Sequence, residues 1–278
     1  MQIKFICPFW GFEHLSAEDF FSLIREDGYD GAEINFPYDE DFQTTVKAEI
    51  SKNELVIIGQ QWLPPAKESF SQYFNRFEAN FLRICQIKPL FINSHTGKDY
   101  FSFKENSKLI DRSFEITKET GIPIFHETHR GRFSFHTSSL IPYLKQFPNL
   151  VLTADFSHWC NVSESLLQDQ EEIISEIIPF VGYIHARIGH EQAPQVNNPK
   201  APEWQNHLAC FLNWWDKIVS QHINKKADCL YICLEFGPPL YLPVEPYSCK
   251  PLSNQREINF WMKDLLKNRY KDYTNRIN

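Results

Sequence analysis

The chain of 278 residues reads as an α/β protein of the (β/α)₈ TIM barrel type, and three observations carry that reading. Short apolar, β-favouring runs alternate with longer amphipathic segments from end to end, giving eight strand–helix pairs. Eight units in a chain of this length match the size of such a barrel. A doubly wound open sheet, the competing α/β architecture, calls for a Gly-rich phosphate turn or a topological break, and neither GxGxxG nor GxxxxGK[ST] occurs.

The strands are expected at residues 3–7, 32–35, 55–61, 90–94, 122–127, 150–155, 181–187 and 230–236. Several are apolar on both faces, as a parallel sheet covered on both sides requires. Helices are expected at 17–27, with Ser16 as its cap, and then at 39–52, 69–86, 104–120, 138–146, 164–178, 204–223 and 254–270. Asp27-Gly28, Thr120-Gly121-Ile122-Pro123 and Phe147-Pro148-Asn149 supply the turn residues at helix-to-strand joints. No Gly/Ser-rich linker divides the chain, so residues 1–278 are expected to form one domain. Two polar loops interrupt the regularity, 189–202 after the seventh strand and 237–251, with five prolines, after the eighth. Both fall on the face where barrels keep their sites and are candidate lids.

Composition narrows the function classes. A net charge of −7 argues against duplex nucleic acid as partner, which usually meets a basic face. Seven scattered cysteines with no CxxC pair favour reduced thiols and a cytoplasmic setting. No apolar run reaches the roughly 18 residues of a spanning helix, and the opening MQIKFICPFWGFEH lacks the apolar core of a signal peptide.

The chemistry gathers at four strand ends. IPIFHE closes on Glu127, LVLTAD on Asp155, VGYIH on His185 and LYICLE on Glu235. An ionisable residue ending a buried strand is costly unless compensated. The four are 28, 30 and 50 positions apart; one βα unit takes roughly 30 residues, and the last gap contains the 189–202 loop. Strands five to eight therefore each bring one ligand to the same end of a barrel. Two glutamates, an aspartate and a histidine form a hard donor set for one divalent cation, Mn²⁺ first, with Mg²⁺, Co²⁺ and Zn²⁺ as alternatives. Each of the four residues taken alone has an ordinary structural explanation; the phase they share is what points to a metal.

Further polar residues share that phase. His158, three positions after Asp155, is placed to bind substrate or a second ion. Arg187 alternates with His185 and can hold a substrate oxygen or a developing negative charge. His95 after the fourth strand, and Gln60, Gln61 and Trp62 after the third, offer polar groups and an aromatic wall. Glu33 is placed as a barrel-floor group or a partner to a ligand. In HETHRGR, His126 is expected to face the helices, while His129, Arg130 and Arg132 lie in or near a loop that suits anion binding or plain solvation.

With these residues the chain resembles the xylose isomerase-like barrel superfamily of sugar isomerases and epimerases, which also includes type IV apurinic endonucleases. The resemblance runs from SAEDFFSLIREDGYDGAEI to the LEFG strand. It implies that Glu127, Asp155, His185 and Glu235 are metal ligands, that His158 and Arg187 bind substrate, and that Glu127 and Glu235 are the catalytic acid/base pair. The implied reaction is isomerisation or epimerisation of a small sugar or polyol-derived ketone through a cis-enediolate. The endonuclease branch would reuse most of these residues, but its three-metal cluster needs a third-strand histidine and an Asp-x-His after strand seven. Here Gln60-Gln61 and ARIGHEQAPQVNNP stand in those places. Dehydratases of the same fold, and a non-catalytic sugar-binding barrel, are the other readings. Phosphate recognition is disfavoured by the glycine-poor RIGHEQ and FGPPLY segments. The 237–251 loop suits either a subunit contact in a homo-oligomer or closure over substrate.

Overall fold

In the computed structural model, which describes residues 1–52 and 54–274, eight parallel strands close into a barrel in sequence order, β1 pairing back to β8. The strands are β1 (Gln2–Pro8), β2 (Gly31–Ile34), β3 (Val56–Gln61), β4 (Ile92–Ser94), β5 (Ile124–Glu127), β6 (Leu152–Ala154), β7 (Val181–His185) and β8 (Cys229–Cys233). Each falls on its expected run; β3, β4 and β5 end and β7 begins where expected, and the other ends differ by one to a few residues. Arg187, Asp155 and Glu235, expected inside strands, lie just past the ends of β7, β6 and β8.

The helices are α1 (Ala17–Glu26), α2 (Glu40–Lys52), α3 (Phe70–Cys85), α4 (Phe103–Thr120), α5 (Thr137–Gln146), α6 (Phe156–Ser163), α7 (Glu171–Ile177), α8 (Gln205–Asn224) and α9 (Gln255–Thr274). Local chemistry explains several boundaries. Ser16 caps α1 by accepting from Asp19 N at 3.1 Å. Reciprocal capping boxes start α3, through Ser69 and Gln72, and α4, through Ser102 and Glu105. Gly121 ends α4 at φ 76°, the left-handed conformation glycine adopts without steric cost.

One helix differs from expectation. The single helix expected at 164–178 is replaced by two, and the first begins directly after β6. Asp155 is itself the N-cap, accepting from Ser157 N at 3.0 Å, so no loop intervenes. The left-handed backbone at Glu164 (φ 48°) and Leu167 (φ 57°) then separates α6 from α7.

Side chains two apart along a strand face the same side, and the lumen is layered accordingly. Ile6, Ile58, Phe91, Tyr183 and Cys233 form a buried apolar plug against which Phe125 and Tyr231 pack. Phe91 stacks on Phe125 at 4.4 Å and meets Tyr183 edge-on at 5.1 Å. One step up four of the strands the residues turn polar: Phe91 gives way to Asn93, Phe125 to Glu127, Tyr183 to His185, and Cys233 to Glu235. The larger core lies between the barrel and its helices. No helix among the described residues is long and apolar enough to cross a membrane.

Candidate metal centre

Ligand atoms of Glu127, Asp155, His185 and Glu235 lie within 4.8 Å of one another, and all four residues are buried. Two donors on opposite sides of one ion, each at about 2.1 Å, stand about 4.2 Å apart. The four donors therefore lie near the separations that a shared cation requires. Glu127 Oε1, His185 Nδ1 and Glu235 Oε2 have no hydrogen-bond partner. His185 Nδ1 nevertheless lies 2.9 Å from Glu235 Oε2 and 3.7 Å from Glu127 Oε2. Close approach without directed hydrogen bonds is what a set of donors aimed at a common ion leaves, and buried polar atoms are otherwise rarely unpaired. These residues fit a divalent cation.

The neighbours of the four prepare them for that role. His185 Nε2 donates to Glu33 Oε2 at 3.0 Å, so Nδ1 is the nitrogen that would turn to a metal, giving up its proton as the ion binds. Glu33 is fixed in turn by Gln60 Nε2 at 3.1 Å and Asn93 Nδ2 at 3.4 Å. Asn93 Nδ2 also donates to Glu127 Oε2 at 2.8 Å. Asp155 is the least open of the four. Ser157 donates to its Oδ1, and the Arg187 guanidinium holds its Oδ2 while lying 3.3 Å from Glu235 Oε2.

Four buried carboxylates, including Glu33, demand positive charge nearby. Burial opposes ionisation of Glu127, but the imidazoles of His95 and His185 outweigh it and hold the carboxyl well below its usual range. Glu235 is likewise lowered against its burial by His185 and Arg187. Burial raises Glu33, and with the charges of Glu235 and Glu127 it pushes Asp155 up to about 7 despite Arg187. His185 is raised well above its usual value, the surrounding carboxylates overcoming its burial. Without a metal, His185 and Arg187 supply the positive charge that a bound cation would bring.

A cavity of about 530 Å³ opens over this cluster, within the range of small-molecule sites. Glu127, Glu235, Arg187, His95 and Trp62 line it, joined by Trp10 and Tyr241. His158 is not in the wall. It is fully buried, accepts from Arg187 Nη2 at 2.8 Å through Nε2, and its ring lies tilted against that of His129, centroids 3.8 Å apart. His126 faces α4 as expected, bonded to Thr96 at 2.7 Å and Ser113 at 3.2 Å.

Sequence reasoning passed over Trp10, Tyr241 and the side chain of Asn93. Trp10 lies two positions past β1 and meets Tyr241 edge-on at 4.8 Å; Tyr241 also stacks over the Arg187 guanidinium at 4.9 Å. The strand-end rule that found the four acidic and imidazole residues would have reached Trp10 and Asn93. Tyr241 carried no comparable signal. Of the two candidate lids, 189–202 packs down: Gln195 accepts from Gly237 N at 2.8 Å and donates to Gly237 O at 3.2 Å. The 237–251 loop brings Tyr241 to the cavity.

No protein-family model matches the chain, and no curated protein matches its sequence. Solved structures do match. The probable 3-DHS dehydratase AsbF of Bacillus anthracis aligns at TM-score 0.63 and 18% identity, over 96% of this chain and 99% of that one. The 3-keto-D-glucoside 4-epimerase YcjR of E. coli aligns at 0.60 and 13%, over 95% and 100%. A xylose isomerase-like TIM barrel protein from Mycobacterium smegmatis, in complex with magnesium, aligns at 0.58 and 10%, over 95% and 97%. At such identities the matches speak to fold alone, and the chain shares the TIM-barrel fold of these proteins.

Proposed function

We propose that this protein is a divalent-metal-dependent isomerase or epimerase of a small sugar or polyol-derived ketone. The observation that carries the reading is a pair of buried glutamates, Glu127 and Glu235, each with an unpartnered oxygen, both close to His185 Nδ1 and both lining a substrate-sized cavity. Glu127, Asp155, His185 and Glu235 would hold the cation, with Mn²⁺ the first choice. When bound, the cation supplies Lewis-acid polarisation of the ketone and acidifies the neighbouring C–H. Glu127 and Glu235, both held ionised in this pocket, are the bases within reach of that proton. One removes it to give a cis-enediolate; that glutamate can then return the proton to the adjacent carbon, whereas delivery to the opposite face requires the other glutamate first to take a proton from solvent.

Arg187 is anchored by Asp155 and His158 and presents its guanidinium to the cavity, where it can hold a substrate oxygen as negative charge develops. Trp10, Trp62 and Tyr241 supply aromatic walls for the C–H faces of a sugar, and His95 a polar contact. An epimerase and a dehydratase among the matching folds support carbon-acid chemistry of this kind. The test is incubation with a panel of ketoses and inososes in deuterated water with Mn²⁺. Deuterium should appear at the carbon beside the carbonyl, and should fail to appear with Glu127→Gln or Glu235→Gln. Loss of water from substrate without exchange back would make the enzyme a dehydratase, and nicking of DNA at abasic sites would make it an endonuclease.

A further inference from the structure

The loop after β2 carries an aromatic side chain that the cavity wall does not use. Asn35 and Pro37 line the cavity, and Tyr38, the next residue, is 80% exposed. A single exposed tyrosine is ordinary, but this one is not free to swing. The Arg83 guanidinium lies over its ring, 4.4 Å from the centroid. Arg83 is itself fixed by three hydrogen bonds, none of them to a carboxylate. Its Nη1 donates to Phe36 O at 3.0 Å, and its Nη2 and Nε donate to Asn80 Oδ1 at 2.9 and 3.2 Å. The loop is pinned as well: Gln43 Nε2 donates to Pro37 O at 2.7 Å, and Asp39 Oδ1 accepts from Phe42 N at 2.6 Å. Tyr38 is thus backed on one face and bare on the other, a plate ordered before anything binds, which lowers the entropy lost on binding.

Trp62 joins this plate to the site. β2 and β3 pair with Ile34 beside Gly59, and Pro37 and Trp62 each lie three positions further on, so the two loops leave the barrel side by side. Trp62 lines the cavity and is 38% exposed, so aromatic surface continues from the wall at Trp62 to the rim at Tyr38. Asn35 adds an amide to that side of the wall for a hydroxyl. A sugar ring presents a face of C–H groups that packs on an aromatic ring through dispersion and release of water. The cavity, at about 530 Å³, lies within the range that encloses drug-sized ligands, more room than one ketose ring fills.

We infer that the substrate is a ketone carried on a two-ring glycoside: the reacting ring sits in the cavity beside Glu127 and Glu235, and the second ring stacks on Tyr38 at the rim. The inference rests on the proposed function for what happens to the first ring; stacking of the second is measurable without turnover. Tyr38 decides between free ketoses and their glycosides while touching none of the reacting atoms.

Lactulose and isomaltulose, in which a second hexose is linked to the O4 or the O6 of fructose, are the probes, with fructose as the single-ring control. Calorimetric titration of the full chain in saturating Mn²⁺ should give a Kd at least tenfold lower for one of the two disaccharides than for fructose. In Tyr38→Ala that preference should fall at least tenfold, and in Tyr38→Phe, which keeps the ring, it should survive. Melting curves on both variants check that the fold is kept. Deuterium exchange into the same sugars should follow the same pattern, with the loss in Tyr38→Ala falling on KM and not on kcat. Fructose bound as tightly as both disaccharides, or a disaccharide preference unchanged in Tyr38→Ala, would overturn the subsite and leave the proposed chemistry standing. A preference that depends on Tyr38 with no deuterium exchange would uphold the subsite and count against the isomerase reading. Binding of none of the three sugars would overturn the subsite.

Discussion

Glu33→Gln isolates a part of the candidate metal centre that would not touch a bound ion. Glu33 is 3% exposed and accepts from His185 Nε2 at 3.0 Å, Gln60 Nε2 at 3.1 Å and Asn93 Nδ2 at 3.4 Å. A glutamine fills the same volume but keeps one acceptor oxygen and brings an NH₂ group among those donors. Either the imidazole N–H or the two amides then lose their partner, and the bond to His185 loses its charge assistance. A charged hydrogen bond of this kind contributes about 1.5–3 kcal/mol. Because it fixes the ring that presents Nδ1, the loss should appear as a 10–100-fold weaker affinity for metal, the range found for partners of metal-binding histidines. Calorimetric titration of stripped wild type and variant with Mn²⁺ reads this directly, and a circular-dichroism melt shows that the fold is kept. A folded variant binding Mn²⁺ within twofold of wild type would refute the role of Glu33 in orienting His185.

Glu127→Gln and Glu235→Gln should each lower deuterium exchange and turnover by about 10²–10⁴-fold, the usual contribution of a positioned acid or base; wild-type rates in either would remove that residue from proton transfer. Gln195→Ala strands both backbone groups of Gly237, so urea denaturation should show a loss of about 1–3 kcal/mol, and an unchanged midpoint would mean that solvent replaces the clamp. At Gly237 an added Cβ would fall 2.1 Å from the Trp10 ring, so Gly237→Ala should cost about 1–3 kcal/mol and displace the aromatic wall, seen as a change in tryptophan emission. Burial holds the pKa of His222 below its usual value against the pull of the Ile218 carbonyl, so its stabilising contribution is complete above about pH 6.5 and is lost as pH falls, by at most about 1.4 kcal/mol per unit. Melts at pH 7.5 and 5 should therefore show a smaller acid-side loss in His222→Gln, and equal losses would contradict the assignment.

The barrel was legible because it is written in two short-range signals, strand runs and turn residues, repeated at the spacing of a βα unit. The convergence of Glu127, Asp155, His185 and Glu235 was legible for the same reason: equal phase on consecutive strands leaves few other places for them. What the sequence obscured lies beyond the strand ends. The helix directly after β6 starts on the carboxylate of Asp155, so one residue is both a cap and a member of the acidic cluster, and a strand reading conceals the first use. His158 keeps the expected spacing from Asp155, yet α6 turns it behind Arg187. Tyr241 reaches the cavity only through the path of an irregular loop, and Trp10 matters because glycine at 237 lets the two walls approach. Contacts of that kind depend on tertiary approach, which no periodicity encodes.

The most direct measurement is anomalous diffraction from crystals soaked in Mn²⁺. A peak enclosed by the side chains of Glu127, Asp155, His185 and Glu235 is the expected result. Saturating Mn²⁺ that leaves no density among those four side chains would contradict a cation-centred site in this barrel.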